Sequence, residues 1–281
     1  MSDWVRSARQ AERVRYRRKR TVRRGAVAAV STALVLVGLV VLTITAPGWE
    51  RVQMTYFDVA YAREVLPDLS RAFVLNVKLF LVAEIFVLAV AVLVALVRVV
   101  PSAAMTPLKL IAIGYTDVFR GTPTLLVIFV VYFGLPALQL EGVPTDLFWL
   151  GVIALTLSYG AYVAEVIRAG IASVHPSQWA AGRSLGLTYP QTMRHVVLPQ
   201  ALRRVVPPLI NDFVSLQKDT ALVSLAGLVE VLRAAQINSS RDFNFTPYVV
   251  AAIFFIVLTV PLARLADWLS IRQVRREQGG G

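Results

Sequence analysis

A small set of polar side chains interrupts otherwise apolar runs of this 281-residue chain: Asn76, Lys78, Glu84, Asp117, Arg120, Glu165, Asp212, Lys218 and Asp219. An ionisable group inside an apolar run is costly to keep, so it faces a cavity, a polar path or a partner. Glu165 is the sharpest case. Tyr159 and Tyr162 precede it by one to two helical turns, and Tyr162 offers a hydroxyl and a π-face beside the carboxylate. Such a set attracts an ammonium or another cationic group. The duller reading pairs Glu165 with Arg168, three residues on, or with Lys218. Asp117 and Arg120, also three apart, suit a pair on one helix face. Lys218 beside Asp219 suits a brace at a broken helix, with Thr220 capping the next segment.

Catalytic chemistry is poorly served. The sequence has no cysteine and only two histidines, His175 and His195. Thiolate metal sites, cysteine nucleophiles and disulfides are therefore excluded, and so is a histidine-rich metal centre. No phosphate-binding P-loop pattern occurs, and the glycine-rich end, 278–281, is read as a tail. A membrane-anchored enzyme lacks a plausible catalytic set here.

The elements that must carry these residues follow from composition. Apolar residues make up 57% of the chain and charged residues 16%, against about a quarter charged in an ordinary soluble domain. So few polar groups cannot cover a protein of this size, and lipid must serve as part of its solvent. Apolar runs recur at 25–46, 73–97, 108–137, 147–169, 203–227 and 247–269, each near the ~20 residues that cross a bilayer as a helix. The alternation of a membrane β-barrel is missing. The fold expected is an all-α membrane protein with about six transmembrane helices.

The net charge of +12 is concentrated at the N-terminus, where the first 24 residues hold ten Arg or Lys. The apolar run that follows is too long for a signal peptide, and nothing downstream resembles a nucleic-acid reading module. The segment is read as a basic cytoplasmic tail (1–24) in contact with membrane lipid, followed by a first transmembrane helix (25–46). With the N-terminus inside, the inner segments carry 21 Arg or Lys and the outer ones 5. The positive-inside rule then puts both termini in the cytoplasm of a multi-pass membrane protein. Segment 47–72 is read as outside, with an amphipathic surface helix expected over 54–66, and 271–281 as a second cytoplasmic tail.

One cytoplasmic loop, 168–199, is too polar to span and is dense in helix punctuation. Ser177 suits the cap of a short helix over 179–185, ended by Gly186. Thr188 suits the cap of a second, with Pro190 in its first turn and Pro199 closing it. A helix–glycine–helix elbow is either a docking surface for another protein or a plain connection.

The stretch QWAAGRSLGLTYPQTMRHVVLP resembles the cytoplasmic coupling loop of permease subunits of binding-protein-dependent ABC importers. The family pattern runs Glu-Ala-Ala, three residues, Gly, nine residues, an aliphatic, one residue, Leu-Pro. Ala180, Ala181, Gly182, Gly186, Val196, Leu198 and Pro199 fall on it. The stretches 118–136, 158–171 and 213–224 are similar to the polar amino acid (histidine, glutamate, glutamine, arginine) subfamily, and the resemblance covers roughly 70–270.

It implies a type I ABC importer permease core of five helices over 73–270, with coupling loop 171–199, plus one extra N-terminal helix. It further implies an importer of a polar amino acid in a bacterial inner membrane. The implied partners are a cytoplasmic ABC ATPase dimer, a second permease copy or paralogue, and an extracytoplasmic amino-acid-binding protein. ATP and Mg would bind the ATPase and no cofactor this subunit. Asn76, Thr122, Tyr162, Glu165, Lys218, Asp219 and Thr220 become substrate-pathway candidates. The loop residues, with Arg183, become the ATPase-coupling set. Two departures stand out. Ala180 replaces the acid that pairs with the ATPase, and Lys78 stands where a small polar residue is usual. The competing class is an ion-gradient-driven secondary transporter.

Overall fold

The computed structural model describes residues 8–278, so the first seven residues of the basic tail and the last three of the C-terminal tail lie outside the described residues. No strand occurs among the described residues. The chain divides into two units, Met1–Thr55 and Tyr56–Gly281.

In the first unit, α1 (Ala8–Ile44) runs unbroken through basic tail and apolar segment alike. The boundary expected at 24/25 is therefore chemical and not conformational, because Arg, Lys and Ala all favour helix. Its apolar part, Arg20–Ile44, is long enough to cross a membrane and buries nothing within the structure. A turn with Gly48 at φ +96° leads into α2 (Trp49–Tyr56).

The second unit opens at Asp58, whose carboxylate accepts the Ala60 and Tyr61 amides and starts α3 (Val59–Val99). This cap cuts the surface helix expected over 54–66 in two. At 41 residues, α3 is about 60 Å long, twice the ~30 Å hydrocarbon thickness. The helix runs unbroken through residues 59–72, so the expected border at 72/73 lies inside it.

The run 108–137 is not one straight crossing. Thr106–Gly121 (α4) stops at Thr122, which is extended because Pro123 follows. The chain then continues through α5 (Thr124–Phe129), a π-helical turn and α6 (Leu135–Ala137), bent 107° from α4. Asp146 caps α7 (Leu147–Ala172). Two short helices, α8 (Pro176–Ser184) and α9 (Tyr189–Thr192), and a π-helical turn lead into α10 (Leu198–Asp219). A 3-10 stretch (Thr220–Ala226) and Gly227, at φ +112°, break the path before α11 (Val231–Asp242). The last helix is α12 (Thr246–Gln278). Among the described residues, four helices are long and apolar enough to cross a membrane, and counting each bent pair as one span gives up to six.

The core is built around α7. Two thirds of its most apolar window is buried, against about a tenth for α12. Lipid is as apolar as leucine, so packing here depends on close approach at small residues. Gly160 sits where a Cβ would meet the Tyr115 hydroxyl at 2.7 Å, and Gly170 where it would collide with Val205 Cγ2. Leu79, Ala83 and Val87 of α3, Ile128 of α5, Leu150 and Leu155 of α7 and Leu216 of α10 close the centre.

Candidate functional site

The elbow expected over 168–199 forms, with two changes to its punctuation. Helix α8 begins at Pro176, not Trp179, because proline lacks the amide that a first turn leaves unpaired. His175 is therefore the cap: its ring accepts the Ser177 amide at 3.2 Å, and the Ser177 hydroxyl sits 2.7 Å from the same nitrogen. Gly186 has φ +75°. Its amide donates to the Arg183 carbonyl, and the next amide, of Leu187, reaches back to Gly182, the paired closure of a left-handed helix end. Thr188 caps α9 with Gln191 in a reciprocal box. Pro199 does not end a helix. It lies in the first turn of α10, after the π-helical turn Met193–Val197.

The elbow is rigid by contact. Trp179 stacks on Tyr189 with ring centroids 5.0 Å apart. The Tyr189 hydroxyl donates to the Val99 carbonyl at the end of α3, and Gln200 of α10 donates to Gln178 of α8. Gly182 is buried against Thr192. Ala180, Ala181, Arg183, Gly186 and Pro199 are exposed, Val196 is half-buried and Leu198 is 37% exposed. Leu185, beside the glycine, is 79% exposed. The structure thus brings the seven motif residues and Arg183 onto one small helical corner.

The pathway candidates scatter into three groups. Glu165 is held by arginines. Its Oε1 accepts from Arg168 at 2.5 Å, and its Oε2 accepts from Arg98 at 2.7 Å and from Arg168 Nε at 3.0 Å. Arg120 stands 4.0 Å away. Arg98 also donates to Thr116 on α4, so the cluster ties α3, α4 and α7 together where α7 turns into the elbow. Lys218 is exposed and takes no part. Nor does Asp117 pair with Arg120 among the described residues. Arg98 lies 67 positions from Glu165, and no local spacing announces it.

The second group is a buried clasp. Asn76 Nδ2 donates to Glu230 Oε2 at 2.8 Å and to Thr220 Oγ1 at 3.3 Å, and its Oδ1 accepts the Val231 amide. The Glu230 carboxylate also caps α11 through the Leu232 and Arg233 amides. Thr220 donates to the Gln217 carbonyl, and Thr259 of α12 donates to the Gln217 side chain. Asn76, Gln217, Thr220 and Glu230 are each at most 1% exposed. The clasp spans both sides of the break between α10 and α11. Glu230 escapes sequence reading, although its place before an apolar helix start is a capping signal.

The third group is acidic. Tyr159 of α7 donates to Asp219 at 2.7 Å, which takes Asp219 away from the brace expected with Lys218. Asp212 lies two turns earlier on α10, with Oδ2 buried and no partner among the described residues. Glu84 and Tyr159 both lie within electrostatic reach of Asp212. Phe80 meets Phe213 edge-on at 4.4 Å and holds α3 and α10 together beside these acids. Tyr162, half-exposed, donates to the Arg120 carbonyl, and the Thr122 hydroxyl closes the end of α4 by donating to the Val118 carbonyl.

Residues 90–275 match the family described as binding-protein-dependent transport system inner membrane component. The chain is 42% identical over 188 residues to a probable glutamine ABC transporter permease of Bacillus subtilis, covering 66% of this chain and 83% of that one. It is 35% identical over 198 residues to an arginine transport system permease of the same organism, covering 70% and 88%. Among solved structures, an amino acid ABC transporter crystallised with histidines superposes with a TM-score of 0.69 at 34% identity, over 78% of this chain and 98% of that chain. A methionine ABC transporter shares the fold at 16% identity and a TM-score of 0.56, over 77% and 99%.

Proposed function

This chain belongs to the family of binding-protein-dependent transport system inner membrane components, and on that premise we propose that it is the translocation subunit of an ATP-driven importer of a polar amino acid. Relatives named for glutamine and arginine transport support the substrate class. The observation that carries the mechanism is the elbow. Two short helices meet at a left-handed glycine, braced from behind by Trp179, Tyr189 and Gln200. A rigid corner of this kind transmits a push without absorbing it.

A cytoplasmic ATPase dimer, holding ATP and Mg, docks on that corner. Ala180 supplies no carboxylate, so docking rests on the exposed Leu185, on Arg183 and on shape. An exposed ion pair contributes little in any case. Two permeases, identical copies or paralogues, pair in the membrane, and an extracytoplasmic binding protein delivers the amino acid. Movement of the elbow passes into α7 and α10, which are joined just above it where Arg204 donates to the Ser173 carbonyl. ATP and substrate then bias one two-state element.

Inside the subunit, the substrate's cationic group passes Glu84 and Asp212, with Tyr159 and Asp219 above them. The unpartnered Asp212 oxygen supports this reading, because a buried carboxylate left without donors is costly unless a ligand visits it. Glu165 is a brace, with both its oxygens already taken.

Reconstitution with the ATPase and binding protein tests the whole reading. Uptake of a labelled polar amino acid is expected to require ATP and to stop when any component is left out. Uptake by this subunit alone, driven by an imposed ion gradient, would establish a secondary transporter instead.

A further inference from the structure

The first turns of α3 and α12 leave between them a groove of about 360 Å³. Val59, Ala62 and Leu66 form one wall, and Val250, Ile253 and Phe254 the other. The few polar groups at its mouth are engaged, with one exception. Asp58 Oδ1 accepts the Ala60 and Tyr61 amides, and Thr246 Oγ1 accepts the Asp58 amide. Arg63 lines the groove, is exposed, and makes no hydrogen bond or ion pair among the described residues. Beside the mouth, Tyr56 stacks on Phe245 at 5.4 Å, and Phe245 lies 6.2 Å from Tyr248.

We propose that this groove is a phospholipid site, taking an acyl chain along Val59–Leu66 and Val250–Phe254 and the headgroup phosphate on Arg63. Three observations converge on that occupant. A lining of aliphatic and aromatic side chains in a membrane helix pair suits hydrocarbon and offers a peptide backbone nothing to bond. Tyrosines gather at the headgroup level of membrane proteins, and Tyr56 and Tyr248 place the mouth there. A guanidinium without a partner at that level complements a phosphate, which it can hold through two hydrogen bonds. A protein helix would fill the groove as well, but it would have to bring a carboxylate of its own to pair Arg63.

The groove flanks the outer corner where the Tyr61 hydroxyl donates to the Asn238 carbonyl of α11. A bound lipid would therefore stiffen the junction of α3, α11 and α12.

Native mass spectrometry of the purified chain in a sugar-headed detergent, titrated with phosphatidylglycerol, tests the site. Wild type is expected to hold one tightly bound lipid. Ala62→Trp, which fills the groove, is expected to lose it. Arg63→Gln is expected to weaken phosphatidylglycerol about fivefold and to leave binding of a diacylglycerol, which has no phosphate, unchanged. Because the sequence has no cysteine, Ile253→Cys gives a single attachment point for a photo-crosslinker, which also serves if Ala62→Trp fails to fold. Crosslinking to phospholipid supports the proposal. Crosslinking to a protein chain, or equal lipid retention by wild type and Ala62→Trp, overturns it.

Discussion

Asn76 and Glu230, 154 positions apart in sequence, meet in the interior at 2.8 Å, an amide donating to a carboxylate that no described cation neutralises. The same amide group accepts the Val231 N–H, so one side chain of α3 holds both the acid and the start of the helix that the acid caps. Asn76→Ala is expected to leave a buried carboxylate and a backbone amide short of partners, at a cost of about 1.5–3 kcal/mol for the charged contact. The melting temperature of the purified protein should fall by several degrees. An unchanged melting temperature would show that the clasp does not hold the break.

Glu165 and Asp212 are separated by their hydrogen bonding. Glu165→Gln strips Arg98 and Arg168 of their shared carboxylate, and breaking such a pair costs at most about 3–5 kcal/mol when fully buried. Arg168 is a third exposed, so the lower end is expected, seen as poor thermal stability and low yield. Asp212→Asn removes no hydrogen bond to Oδ2 among the described residues. It should keep the melting temperature and reduce uptake of a cationic or zwitterionic amino acid at least tenfold. Stability and uptake measured on the same reconstituted variants decide the matter. Lost transport with normal stability in Glu165→Gln would return Glu165 to the pathway.

Gly186→Val probes the elbow. No atom lies within 4 Å of a Cβ built there, so the effect is purely one of backbone conformation. A left-handed residue other than glycine costs about 1–2 kcal/mol, and a β-branched one most. Membrane insertion should be normal, while ATP hydrolysis proceeds without matching uptake. Gly186→Asn should be much milder, since asparagine tolerates this region. Wild-type coupling in the valine variant would dismiss Gly186 as the residue that sets the corner.

Gly170→Ala tests the contact beneath the elbow. Its new methyl would collide with Val205 Cγ2, forcing α7 and α10 apart at about 1–3 kcal/mol. The companion change Val205→Ala makes room and should restore much of the lost melting temperature. If the double variant melts no higher than the single one, the close approach is not what the glycine serves.

Much of this could be read from the chain alone. The apolar runs, the scarcity of charge and the crowd of arginines at the N-terminus set a helical membrane protein of about six spans, because lipid leaves the backbone no other way to bond itself. The elbow was equally legible, since capping, glycine at a helix end and proline in a first turn are local effects settled within a few residues. Even there, the start of α8 shifted to Pro176 and Pro199 proved to open a helix.

Long-range pairing was decided by the tertiary structure alone. The Glu165 carboxylate had two local suitors in sequence, Arg168 and Lys218. Folding kept the first, discarded the second and added Arg98 from another helix. Lys218 and Asp219 are neighbours in the chain and part company in space, because Tyr159 claims the acid. Asn76 and Thr220 look like solvent-seeking polar groups in apolar runs, yet they meet each other and Glu230 in a dry interior. Periodicity reports which face of a helix is apolar. It does not report which helix comes to lie against that face, and for a polar group buried in a membrane the identity of that neighbour decides whether it is a brace or a site.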